Sequence, residues 1–164
     1  MEKIDAIDTQ ILTLLQAHGR IKRNRIAEHV GLSLPAVSER MRKLEERGVI
    51  TGYHARLDSK RLHFDVTAFI RVSMLGSEHY PAFIGAATEM DAVQELHSIT
   101  GEGSHLLKVR VKNTSALEKL LADVQRLDGV RGTQTSIVLS TQKETATLPV
   151  EPMELYPVHP NGSN

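Results

Sequence analysis

The sequence predicts an α+β protein, in which an N-terminal winged-type helix-turn-helix precedes a ferredoxin-like domain of element order βαββαβ. Up to Gly48, apolar residues recur at the three- and four-residue spacing of helices. Beyond Gly48, alternating apolar residues indicate strands, and two helical stripes interrupt them. Charge is uneven too, because residues 20–61 hold eleven Lys and Arg against five Asp and Glu in a chain of net charge zero. Such a basic block indicates that one segment faces a polyanion.

The composition excludes several classes of protein. The 164 residues are 40% hydrophobic and 24% charged, which is ordinary for a globular protein. The chain has no cysteine, so it has no disulfide, thiolate metal site or cysteine nucleophile. Its longest apolar run is three residues, as in Ala68–Ile70, where a membrane span needs roughly 20. The polar N-terminus does not resemble a signal peptide, and we expect a cytoplasmic protein with no membrane partner.

Three helices are predicted for a DNA-binding domain over residues 1–50. The first carries an apolar stripe from Ile4 to Leu15 and ends near Gly19. The second runs over residues 23–30 and ends at Gly31. The third begins after Ser33, a good N-cap residue, tolerates a proline in its first turn, and ends at Gly48.

The spacing of Ala27, Gly31 and Val37 is typical of a helix-turn-helix, whose second helix enters the major groove. We expect Arg40 and Arg42 on the base-reading face, with the basic residues before and within the second helix on the DNA backbone. The alternative is an amphipathic helical hairpin without a nucleic-acid role, which the local charge disfavours. The residues predicted to contact double-stranded DNA are Arg20, Lys22, Arg23, Arg25, Ser33, Pro35, Ala36, Ser38, Glu39, Arg40, Arg42 and Lys43.

A connecting strand or hinge over residues 51–64 is predicted to lead into a ferredoxin-like domain over residues 65–142. Its second helix is predicted to start at a capping box of Ser115 and Glu118. Because helices cover only one face of the sheet, we expect the other face to be buried against a partner. A second copy of the chain is the simplest partner. The alternating apolar residues on which this dimer prediction rests are Ala68, Ile70, Val72, Leu107, Val109, Val111 and Val138.

Residues 143–164 form a proline-rich tail. They hold four of the six prolines and end in Asn161–Asn164. We expect this tail to be extended or flexible.

Many short motifs in order resemble the Lrp/AsnC, or feast/famine, transcriptional regulators of bacteria and archaea. The resemblance covers residues 4–142 and includes Val30-Gly31-Leu32-Ser33, Gly48-Val49-Ile50, Gly52-Tyr53 and Leu106-Leu107-Lys108-Val109. It implies a DNA-binding regulator that dimerises through its C-terminal domain and often assembles into octamers. It also implies a small effector, usually an amino acid, and no other cofactor.

The effector loop departs from the family pattern. Where the family has Gly-Asp-aromatic-Asp, this chain has Gly101-Glu102-Gly103-Ser104. Glu102 retains an acidic group for an ammonium, and the two glycines leave backbone N–H groups open to a carboxylate. A plain hairpin turn is the alternative interpretation. The residues predicted to bind the effector are Thr100, Gly101, Glu102, Gly103, Ser104, His105, Thr133 and Thr135.

We therefore predict a nucleoid-associated, sequence-preferring regulator of amino-acid-related metabolism. One alternative is an architectural DNA-compacting protein that responds to no metabolite, and another is an effector-sensing module with a degenerate DNA-binding head. An enzyme is rejected, because the eight histidines show no ligand spacing and no nucleophile motif is present. No catalytic or metal-binding residue is predicted.

Overall fold

A computed structural model describes residues 3–156, which fall into two compact units. One unit contains the chain up to Arg56 together with the segment that starts at Thr145, and the other spans Leu57–Glu144. None of the helices among the described residues has the length and apolarity of a membrane span.

The first unit is a three-helix head. Strand β1 (Lys3–Ile4) precedes helices α1 (Ala6–Ala17), α2 (Arg23–Val30) and α3 (Leu34–Glu46), as the sequence predicts for the helices. The Asp5 side chain caps α1 by accepting a hydrogen bond from the Asp8 amide at 2.8 Å. The apolar stripes of the three helices meet in one buried cluster, formed by Ile4, Ile11, Leu12, Ile26, Ala27, Val37, Met41 and Leu44.

The predicted connecting strand is absent. The chain leaves α3 at Gly48 in the left-handed region (φ +68°), and the Val49 and Ile50 amides donate to the Leu44 carbonyl. Residues 51–58 then run without regular structure. A strand needs a neighbour for its hydrogen-bond ladder, and neither sheet of the described chain includes this segment.

The second unit is the predicted βαββαβ domain. Its elements are β2 (Val66–Met74), a 3₁₀ turn (Ser77–His79), α4 (Tyr80–Thr88), β3 (Val93–Ser98), β4 (His105–Val111), α5 (Thr114–Gln125) and β5 (Val130–Ile137). The antiparallel sheet has the order β3-β4-β2-β5. Helix α5 begins at Asn113, whose side chain accepts from the Ala116 amide at 2.9 Å, and not at the predicted capping box of Ser115 and Glu118.

The apolar residues of the sheet are buried within a single copy of the chain. Ala68, Ile70 and Val72 of β2 are buried in one cluster with Phe83 of α4 and Val124 of α5. The chain's own helices thus cover this face, and the argument that these residues require a dimer is wrong. The opposite face is mostly polar and carries Phe69, Arg71, Leu106, Lys108, Arg110 and Gln134.

The described part of the tail is extended, as one of the two predicted possibilities has it, and it docks onto the head. Strand β6 (Met153–Glu154) pairs antiparallel with β1, so that Met153 lies opposite Ile4. Val150 and Leu155 pack against the apolar core of the head. Gln16 of α1 bonds both backbone polar groups of Leu148, at 2.7 and 3.0 Å. The prolines at 157 and 160 and residues 161–164 lie outside the described residues.

Candidate DNA-binding and effector sites

The packing of α3 decides which of its side chains are exposed. The Ser33 hydroxyl caps its start by accepting from the Ala36 amide at 3.4 Å, and Pro35 lies in the first turn. Val37, Met41 and Leu44 are buried, which directs one side of the helix into the head. The opposite side is exposed, and its residues are Pro35, Glu39, Arg42, Lys43 and Glu46.

The exposed face of α3 carries a network of alternating charges. Arg42 contacts Glu39 at 2.7 Å and pairs with Glu46, and Lys43 Nζ lies 3.5 Å from Glu39. The hydrogen bond from Arg42 lowers the pKa of Glu39 to about 2, so this carboxylate is ionised. The face therefore offers both hydrogen-bond donors and acceptors to a ligand.

Arg40 has a different position from the one predicted. Its Nη1 atom lies 2.7 Å from Asp5 Oδ2 and 2.8 Å from Asp8 Oδ1, and the Asp8 side chain is only 6% exposed. The guanidinium thus joins α3 to the start of α1 and does not extend from the exposed face. The reason lies in the helical spacing, because Arg40 follows Val37 by three residues and precedes Leu44 by four, which places it beside the buried stripe.

The other predicted DNA contacts are arranged around the turn between the helices. Arg20, Lys22, Arg23 and Arg25 are exposed before and within the first turn of α2, and Arg25 pairs with Glu28 at 2.7 Å. Ala36 and Ser38 are half-buried at the edges of the exposed face of α3. The turn itself depends on Gly31, which adopts φ +68°.

The loop between β3 and β4 is tied to β2. The Ser104 amide donates to the Val72 carbonyl at 2.8 Å, and the Ile99 amide donates to the Ser104 carbonyl at 3.0 Å. Gly103 adopts φ +84°, and a Cβ atom there would lie 2.7 Å from Arg71 Cγ. A larger residue at this position would therefore have a strained backbone and would require the Arg71 side chain to shift.

A cavity of about 490 Å³ lies beside this loop. Arg71 Nη1 lies 4.0 Å from Glu102 Oε2 and donates to Gln134 Oε1 at 3.1 Å. Of the predicted effector residues, Glu102, Gly103 and Thr133 line the cavity. The sequence did not lead us to predict the other lining residues, which are Arg71, Ser73, Arg131, Gly132 and Gln134. Arg71 and Ser73 alternate with the apolar residues of β2. This alternation in the sequence could have indicated that both side chains face the side of the sheet opposite to its apolar core.

Two predicted effector residues lie on the helix-covered face instead. His105 is fully buried, with its ring 4.7 Å from the Tyr80 ring and 5.0 Å from the Phe83 ring. Burial lowers the pKa of His105, and its two ring nitrogens have no hydrogen-bond partner among the described residues. Thr135 is paired in register with buried Ile70 and shares its face.

The remaining predicted residues have mixed positions. Thr133 contributes to the cavity lining, but it pairs in register with buried Val72, and its hydroxyl accepts from Gln125 Nε2 of α5 at 2.8 Å on the helix-covered face. Thr100, Gly101 and Ser104 belong to the loop but not to the lining. Within residues 3–156, no group of three or more His, Asp or Glu side chains is arranged to hold a metal ion.

Comparison with known proteins matches each unit of the chain. Residues 4–51 match a winged helix-turn-helix DNA-binding domain, and residues 67–148 match the Lrp/AsnC ligand binding domain. The chain is 34% identical over 148 residues to the HTH-type transcriptional regulator FL11 of Pyrococcus horikoshii, which covers 90% of this chain and 97% of the relative. It is 34% identical over 151 residues to the leucine-responsive regulatory protein of Salmonella typhimurium, with 90% and 92% covered.

A solved structure gives the same assignment. The complex of a transcriptional regulator from Neisseria meningitidis with L-Met superposes with a TM-score of 0.85 at 30% identity, covering 89% of this chain and 96% of that chain. Both the head and the sheet domain are therefore matched by transcriptional regulators. The chain belongs to the Lrp/AsnC family of DNA-binding transcriptional regulators and contains the ligand-binding domain of that family.

Proposed function

We propose that this protein is a sequence-preferring regulator of amino-acid-related metabolism, and that an amino acid bound in the cavity beside residues 101–104 modulates its DNA binding. The observation that carries this proposal is the cavity itself, in which the Glu102 carboxylate lies beside the Arg71 guanidinium. A free amino acid carries an ammonium and a carboxylate, and so complements one acidic and one cationic side chain. The related regulator in complex with L-Met supports an amino acid as the class of effector.

DNA binding is assigned to residues 1–50, with the exposed face of α3 in the major groove. Arg42 donates there to guanine and Glu39 accepts from cytosine, once the ion pair between them opens. Lys43 and the basic residues around α2 contact phosphates, so affinity falls as the salt concentration rises. The rest of this interface consists of Arg20, Lys22, Arg23, Arg25, Ser33, Pro35, Ala36 and Ser38.

The active species is a homodimer formed through residues 65–142, which assembles further into an octamer, as the family resemblance implies. Two heads related by a dyad contact half-sites separated by one or more helical turns, each about 34–36 Å. Such a protein acts in the cytoplasm, on the nucleoid. Light scattering of the full chain at micromolar concentration tests this assembly, and a monomer there would contradict it.

Two measurements test the DNA-binding and effector parts. Footprinting on many unrelated DNA fragments should protect a few palindromic sites, whereas uniform coverage would favour an architectural DNA-compacting protein. Calorimetric titration with the twenty amino acids should find one that binds. The variant Glu102→Gln should bind it more weakly by roughly 1.5–3 kcal/mol, the contribution of a hydrogen bond to a charged group. A screen in which no amino acid binds would contradict an amino-acid effector.

A further inference from the structure

The effector cavity is lined by residues with polar or charged side chains and by glycine. The lining residues are Arg71, Ser73, Glu102, Arg131, Thr133 and Gln134, together with two glycines. A leucine or methionine side chain is bound most tightly where its surface is buried against apolar groups. None of the residues that line this cavity has an apolar side chain, so a leucine or methionine side chain would contact only glycine and the stems of polar side chains here.

The cavity also carries an excess of positive charge. Two arginines, Arg71 and Arg131, line it together with a single acidic residue, Glu102. At 4.0 Å, Arg71 and Glu102 are too far apart for a direct hydrogen bond. Arg71 Nη1 donates instead to the neutral Gln134 amide, and its Nε is buried with no hydrogen-bond partner among the described residues. The Arg71 guanidinium is therefore within ion-pair distance of Glu102 but lacks the direct hydrogen bond to a carboxylate that a guanidinium prefers.

We infer that the effector is an acidic amino acid, such as L-glutamate or L-aspartate. This inference rests on the proposed function, since it names the class of ligand for the same cavity. An acidic amino acid has two carboxylates and one ammonium, which complement two guanidinium groups and one carboxylate in number and sign. A neutral amino acid leaves one of the guanidinium groups without a carboxylate.

The cavity is large enough for an amino acid. Its volume of about 490 Å³ is within the usual range of small-molecule sites. A Cβ atom at Gly132 would contact nothing within 4 Å, so the strand leaves open space on this side. Gly103 keeps the loop close against Arg71, where the family pattern has an aromatic residue.

The sharpest test compares L-glutamate with L-glutamine, which have nearly the same shape and differ by one charge. Titration calorimetry of the full-length protein should give L-glutamate or L-aspartate an affinity at least about tenfold above those of L-glutamine, L-methionine and L-leucine. The variant Arg131→Gln should lower the affinity for the acidic ligand and leave that for L-glutamine unchanged. Arg126→Gln is the matched control, because Arg126 is an exposed residue at the C-terminal end of α5, pairs with Asp123 at 3.0 Å and does not line the cavity.

The outcomes separate this inference from the proposed function. Tighter binding of the acidic amino acid, with its preference lost in Arg131→Gln and kept in Arg126→Gln, supports the inference. Binding of L-methionine or L-leucine with equal or higher affinity overturns it, while an amino-acid effector stands. An unchanged preference in Arg131→Gln overturns the charge pairing on which the inference is built. No binding of any amino acid overturns the inference and the proposed effector class together.

Discussion

Replacing Arg40 with alanine should destabilise the DNA-binding head by about 2 kcal/mol. Arg40 Nη1 donates to Asp5 and Asp8, and the Asp8 carboxylate is nearly fully buried. Without Arg40, that carboxylate retains one described hydrogen bond, a long one of 3.3 Å from the Asp5 amide. Removing one partner of a fully buried ion pair costs about 3–5 kcal/mol, and a hydrogen bond to a charged group contributes about 1.5–3 kcal/mol. Because the Arg40 side chain is 31% exposed, the lower of these ranges applies.

The same variant should also change how stability depends on pH. Burial by itself would raise the pKa of Asp5, but hydrogen bonds from the Asp8 amide and from Arg40 outweigh burial and hold it below its ordinary value of 3.8. A carboxyl group with a depressed pKa stabilises the fold fully above its ordinary pKa, and this stabilisation is lost as pH falls through the depressed value. In Arg40→Ala, the loss of stability in acid should therefore be smaller than in the unmodified protein.

Hydrogen exchange of the full chain, followed on peptides from α1 and α3, measures this effect. Exchange in both helices should accelerate in Arg40→Ala. The matched control is Arg42→Ala, since Arg42 is 52% exposed and pairs only within α3. A surface ion pair contributes about 0–1 kcal/mol, so this control should leave exchange nearly unchanged while it weakens DNA binding. If Arg40→Ala left exchange unchanged and abolished preference among DNA sequences, Arg40 would be a base-reading residue and the structural role would be wrong.

Two further predictions concern the buried histidine and the docked tail. Burial depresses the pKa of His105 below 6.5, so the ligand-binding domain should be most stable above this pH and should lose stability as the pH falls. In His105→Leu, the melting temperature should fall less between about pH 7.5 and 5 than it does in the unmodified protein. Val150→Asp places a carboxylate against the core of the head, so α1 should exchange faster by the equivalent of about 1–3 kcal/mol. The control is Leu148→Asp, which should not accelerate exchange in α1, because Leu148 is 70% exposed. Equal exchange rates in the two variants would refute the docking of the tail.

Local chemistry allowed much of this fold to be predicted from the sequence. Ser33 caps α3 and Gly31 forms the turn before it through groups only a few residues apart, so the residue types alone identify both. The alternation along β2 likewise determines which side chains share a face, although it does not say which face the helices cover. The loop at residues 101–104 was located for the same reason, since glycine and serine between two predicted strands indicate a turn, and both glycines have positive φ in the structure.

Tertiary structure decided the features that depend on distant partners. Arg40 could extend into a groove or bind Asp8, and only the packing of α3 against α1, 32 residues away, selects the ion pair. The cavity combines Arg71, Glu102 and Arg131, whose approach depends on the strand order β3-β4-β2-β5. The segment around Met153 pairs with Ile4, near the opposite end of the chain. Capping, periodicity and turns act over a few residues, whereas the pairing of strands and the burial of charges are determined by the free energy of the whole packed domain.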